Sequence, residues 1–170
     1  SERSAAIDDM DAARLGLERI DGARASFKRA LSIAPGFHSA NLNLAKLEMD
    51  HGAVTQARKI FVDVLEQSPK EIRAMLGLSK LDEKIGDRDG AIEWLEKVRA
   101  IVPKQVPHQL KLVDLYLAEN NLAKAQAITT DLEAKYPDQL PVLIAVGRVQ
   151  MARGTPGEAV KTFVRMSKLA

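Results

Sequence analysis

The chain has 170 residues, no cysteine, 28% charged side chains and a net charge of +2. The lack of cysteine excludes disulfides, thiolate metal sites and cysteine nucleophiles. The nearly balanced charge, without a basic stripe, excludes the electrostatic footprint of a nucleic-acid binder.

No apolar run approaches the roughly 18 residues that spanning a bilayer needs, and no signal peptide is recognisable. Aromatic residues make up only 4% of the chain, so the core is expected to be built from alanine and aliphatic side chains in thin helix–helix interfaces. The chain starts without methionine and stops within its last repeated unit. It therefore reads as a segment of a longer protein, and the lack of a targeting segment carries little weight.

In chain order, the first predicted helix covers about 4–17 and carries Asp8, Asp9 and Asp11. Glu18 stands where later units carry a turn glycine. This helix reads either as a polar cap, which stacked arrays need at their ends, or as an internal unit that has drifted. The next hairpin begins with a helix over His38–His51, where Leu42, Leu44, Leu47 and Met49 recur at helical spacing. Gly52 ends it with a permissive backbone. A second helix over Thr55–Gln67 is stopped by Pro69, which disfavours helix in the residue before it. The pattern then predicts helices over Ile72–Ile85 and Asp89–Ile101, Val106–Glu119 and Ala123–Lys135, and Leu140–Arg153 and Gly157–Leu169. Each is about 13 residues and so roughly 20 Å long, marginal alone and stabilised by stacking.

The hairpins share one period. Pro35, Pro69, Pro103 and Pro137 recur every 34 residues, and Ala23, Ala57, Ala91, Ala125 and Ala159 keep the same interval. Leu44, Leu78, Leu112 and Val146 are in phase, as are Gly52, Gly86, Asn120 and Gly154. The small alanine lets the second helix of a unit lie close to the first, against Ala45, Ser79 and Gly147. Val113 and Thr129 depart from the pattern, which makes the fourth unit the expected weakest hairpin.

A helix–turn–helix repeated every 34 residues resembles the tetratricopeptide repeat, or TPR. The stretch Asn41-Leu42-Asn43-Leu44-Ala45, followed by Gly52, Ala57, Phe61, Val64 and Pro69, is similar to a full unit of that family, and the likeness covers essentially the whole chain. The resemblance implies an all-α fold, a right-handed superhelix (α-solenoid) of about five units over 4–37, 38–71, 72–105, 106–139 and 140–170, forming a single array. In that family the first helix of each unit, helix A, lines a concave face that binds an extended peptide or a partner helix. The implied function is a non-enzymatic protein-binding scaffold without cofactor or metal. The alternative is a regulatory or substrate-recruiting arm of an enzyme whose catalytic domain lies elsewhere.

A narrower resemblance rests on Leu44-Ala45-Lys46-Leu47, Val64-Leu65-Glu66-Gln67-Ser68-Pro69 and Val146-Gly147-Arg148-Val149-Gln150-Met151-Ala152-Arg153-Gly154. These are similar to the repeat lipoprotein of the bacterial exosortase (PEP-CTERM) export system. That likeness implies an envelope-anchored, periplasmic location and a role in exopolysaccharide export; without it the expected location is cytoplasmic.

Catalytic and metal-binding sites are not expected. His38, His51 and His108 fall at different phases, and no HExxH spacing occurs. Of the carboxylate clamp some family members carry, only Asn43 and Arg73 match, while Asp8, Ala12 and Gly77 occupy the other places. Trp94 reads as a packing residue. The candidate partner site is on the A helices. Leu42, Leu76, Leu110 and Ile144 share one phase, and Met49, Leu117 and Met151 extend the same face, with Leu15 before them and Glu83 as the exception. Lys46, Lys80 and Arg148 stand between them as basic posts, interrupted by Asp114. Two readings stay open here: an apolar groove for an amphipathic or partly acidic segment, or side chains shared with neighbouring helices. At the other end of the chain, Val160, Phe163 and Met166 form a partly open face that implies weak self-association.

Overall fold

The computed structural model describes residues 2–169, with side chains from residue 16 onward. All nine elements among the described residues are α-helices: α1 Glu2–Ile33, α2 His38–Asp50, α3 Val54–Gln67, α4 Ile72–Ile85, α5 Arg88–Ile101, α6 Val106–Ala118, α7 Leu122–Lys135, α8 Leu140–Ala152 and α9 Pro156–Ser167. From α2 onward they alternate as the A and B helices of successive hairpins, and their ends lie within two residues of those predicted.

The tight turn inside each hairpin is made the same way. Gly52, Gly86, Asn120 and Gly154 adopt φ of 84°, 83°, 55° and 76°, the left-handed region that a helix C-terminus needs in order to reverse. Past each of them an amide reaches back to close the end of the A helix. Ala53 donates to the Glu48 carbonyl at 2.8 Å, Asp87 to Asp82 at 2.8 Å, Asn121 to Tyr116 at 2.8 Å and Thr155 to Gln150 at 3.0 Å. The B helices end before proline: Ser68, Val102 and Tyr136 leave helical geometry at φ of −138°, −127° and −134°, as the following ring requires.

The first unit differs from expectation. Instead of a helix over 4–17, a turn and a second helix, α1 runs unbroken for 32 residues. The cause is at the turn position. Glu18 replaces the in-phase glycine, and a left-handed backbone costs a side-chain-bearing residue roughly 1–2 kcal/mol. No proline interrupts the stretch, so the helix continues. Asp8, Asp9, Asp11, Ala12 and Leu15 lie outside the residues whose side chains are described.

The chain forms two compact units, Ser1–Leu81 and Asp82–Ala170. In the first, Leu44, Ala45, Ala57, Phe61, Val64 and Leu78 are buried. In the second the core includes Ala91, Leu95, Leu112, Leu132, Leu143 and Ala159. Four of the phased alanines, Ala57, Ala91, Ala125 and Ala159, are fully covered, which is why a larger residue would not fit the crossing. Val113 is also fully covered, and Thr129 is buried with its hydroxyl donating to the Ala125 and Gln126 carbonyls, both at 3.1 Å. Both departures from the pattern are thus accommodated within packed helices.

Candidate protein-docking grooves

Within the first compact unit, α2 and α4 enclose a groove of about 270 Å³. It is lined by Leu42, Asn43, Lys46, Met49, Phe61, Arg73, Leu76, Gly77 and Lys80. Five predicted partner-site residues meet here: Leu42, Lys46, Met49, Leu76 and Lys80. Their burial is unequal. Leu42 and Met49 are 4% and 2% exposed and belong to the core as much as to the groove floor. Leu76 is half-buried, and Lys46 and Lys80 are exposed.

The shape of the groove depends on Gly77. A β-carbon there would come within 2.4 Å of the Phe61 ring, so the ring occupies the space a side chain on α4 would take. Across the groove, Arg73 donates to the Asn43 amide oxygen at 3.5 Å. The two positions that match the family's carboxylate clamp are therefore turned toward each other. Lys80 lies 3.9 Å from the Asp50 carboxylate.

In the second unit a shallower depression of about 490 Å³ is lined by Val106, Pro107, Leu110, Lys111, Asp114, Gln139 and Pro141. Of the predicted residues it takes in only Leu110. Leu117 is half-buried, while Ile144 and Met151 stand out at 43% and 53% exposure. The charges here are matched: Lys111 pairs with Glu83 at 2.6 Å and Arg148 with Asp114 at 2.5 Å. Arg148 is thus no free post, and Asp114, the apparent exception to the basic series, is its partner.

A second set of residues was overlooked by the apolar pattern. Glu48, Asp82, Tyr116 and Gln150 share one phase; the first three are buried and Gln150 half-buried. They are the residues whose carbonyls close the hairpin turns. Glu48 accepts from the Arg24 guanidinium at 2.6 and 3.1 Å, and this hydrogen bond holds its carboxyl below the ordinary range. The Tyr116 hydroxyl donates to Glu96 at 2.8 Å; burial first, then this bond, pushes its phenol up. Gln150 accepts from Thr162 at 2.9 Å. No buried side-chain polar atom among the described residues lacks a partner.

The remaining candidates are less connected. The His38 Nδ1 lies 3.3 Å from the Ser68 hydroxyl, and no cluster of three or more His, Cys, Asp or Glu among the described residues could hold a metal ion. Trp94 is half-buried with the Lys97 ammonium 4.1 Å above its ring centroid. Val160 is 60% exposed, while Phe163 and Met166 are half-buried. No described helix is long and apolar enough to cross a membrane.

No curated protein matches the sequence, so the narrower likeness to the exosortase lipoprotein gains no support. Among solved structures, a crystal structure of MamA is 21% identical with a TM-score of 0.74, covering 92% of this chain and 92% of that one. MamA from Desulfovibrio magneticus RS-1 is 17% identical with a TM-score of 0.73, covering 94% and 91%. A thermophilic TPR protein of Thermus thermophilus is 20% identical with a TM-score of 0.57, covering 94% and 87%. At these identities the likeness is one of fold. The tetratricopeptide repeat model matches residues 14–81, 48–114 and 86–146, and the chain belongs to the tetratricopeptide repeat family.

Proposed function

We propose that this chain is a non-enzymatic scaffold that binds a peptide or helix of a partner protein on the faces of its A helices, with the α2–α4 groove as a docking site. Arrays of this family offer extended binding surfaces, and the helix pair supplies a floor and a rim without a reaction centre. The observation that carries the reading is the groove itself. Leu42, Met49, Phe61 and Leu76 form an apolar floor beneath Lys46, Arg73 and Lys80. An apolar centre ringed by polar groups is the usual anatomy of a protein-binding patch, and a few central side chains carry most of the binding energy.

The test is selection of binders from a displayed peptide library, followed by Leu76→Asp, with Leu110→Asp in the second unit as the comparison. Both leucines are half-buried, so the expected result is binding lost in Leu76→Asp and kept in Leu110→Asp, with unchanged helical circular dichroism in both. Selected peptides that still bind Leu76→Asp would place recognition elsewhere, and unfolding of that variant would make Leu76 a core residue.

A further inference from the structure

Resting on the reading of the α2–α4 groove as a docking site, we propose that its ligand is an acidic amphipathic segment: apolar side chains for the floor, flanked by aspartate or glutamate for the rim. Three cations and no acid line the groove, and their own partners satisfy them poorly. Lys80 stands 3.9 Å from Asp50, the two side chains being 64% and 44% exposed. The Arg73 guanidinium reaches only the neutral Asn43 amide, at 3.5 Å, while its backbone N–H donates to Glu71 at 3.1 Å. Lys46 has no ion pair among the described residues.

The second unit provides the contrast. There Lys111 and Arg148 meet carboxylates at 2.6 and 2.5 Å, so a similar A-helix face is neutralised internally. The surplus positive charge is thus a property of the α2–α4 groove and not of the repeat.

Bringing a carboxylate among Lys46, Arg73 and Lys80 relieves their mutual repulsion and forms charge-assisted hydrogen bonds. Exposed charges of this kind govern partner choice and association rate more than final affinity. Affinity then has to come from apolar side chains covering Leu42, Phe61 and Leu76. A lone chain-terminal carboxylate meets the charge and leaves that floor uncovered, so both features belong to one segment.

Three peptides of equal length test this, each acetylated and amidated so that no terminal charge contributes. All carry leucine at i, i+3, i+4 and i+7, and the remaining positions are glutamate, glutamine or lysine. Fluorescence anisotropy should show the glutamate peptide binding at least about tenfold tighter than the glutamine peptide, with a preference that shrinks as salt rises. The lysine peptide should bind weakest. Arg73→Glu with Lys80→Glu, both exposed, should reverse the order toward lysine; the milder pair Lys46→Gln with Lys80→Gln should flatten it. Equal binding of the glutamate and glutamine peptides, lost in Leu76→Asp, would overturn the charge assignment and leave the groove standing. Glutamate-peptide binding that survives both Leu76→Asp and the charge reversals would overturn the groove as well. Binding by none of the three, or only by an uncapped peptide with a free terminal carboxylate, would also overturn the proposal.

Discussion

The ring of Phe61 lies against the bare backbone of Gly77, where a β-carbon would approach it to 2.4 Å. Phe163 repeats the relationship with Gly147, again at 2.4 Å. Each large ring is accommodated by a glycine on a neighbouring A helix, at a cost in helix propensity of about 1 kcal/mol relative to alanine.

Gly77→Ala should therefore destabilise the chain by roughly 1–3 kcal/mol, because overpacking outweighs the gain in propensity. In a Phe61→Leu background the same change should be neutral or stabilising. Urea midpoints for the two singles and the double give the coupling; additive effects would show that ring and glycine do not meet.

Two other glycines should respond in opposite directions. Gly52 holds φ at 84° with open space around it, so Gly52→Ala should cost roughly 1–2 kcal/mol through backbone strain alone. Gly22 lies within α1 with nothing within 4 Å of an added β-carbon, and Gly22→Ala should stabilise by about 0.5–1 kcal/mol. Thermal melts of the two variants should shift in opposite senses.

Glu48 joins α2 to α1 through Arg24, with Asp21, Lys28 and His51 in the same electrostatic surroundings. Its folded pKa is depressed below the ordinary 4.5, chiefly by the Arg24 hydrogen bond. The stabilisation is therefore complete above 4.5 and is lost as pH falls through the depressed folded value. Glu48→Gln should cost roughly 1–3 kcal/mol at neutral pH, and the difference from the parent chain should shrink steadily in acid. A pH-independent difference would mean that the charge of Glu48 does not matter.

Tyr116 behaves in the opposite sense. Burial, then the Glu96 carboxylate, raises its phenol above the ordinary 10.0. Its contribution is present below the unfolded pKa and is lost as alkali forces ionisation. Ultraviolet titration should show one tyrosine resisting ionisation until the chain unfolds, and Tyr116→Phe should remove that component.

The sequence was legible where the 34-residue period repeats the same chemistry. Glycine or asparagine at the turns, proline after the B helices and alanine at the crossings locate α2 to α9 within two residues. The same regularity misled at α1, because the period predicted a turn where Glu18 lacks the backbone freedom to make one. The polar positions Glu48, Asp82, Tyr116 and Gln150 recur just as regularly, but four different side chains occupy them, and what repeats is the carbonyl that closes each turn. The groove was partly legible. Phase brought Leu42 and Leu76 together, whereas the neutralisation of Arg148 by Asp114 and of Lys111 by Glu83 depends on how adjacent A helices are rotated. Asp114 shares the phase of Arg148 one period away, whereas Glu83 is out of phase with Lys111.

Docking of a partner segment between α2 and α4 can be watched residue by residue. Backbone amide shifts of the labelled protein, followed by nuclear magnetic resonance during titration with the capped glutamate peptide, report where the segment lands. Perturbations should cluster at Asn43, Lys46, Arg73, Leu76, Gly77 and Lys80, shrink with salt and vanish in Leu76→Asp. Perturbations centred instead on the exposed side of α3 around Val62, or on Trp94 in α5, with the groove residues unmoved, would contradict docking in the groove.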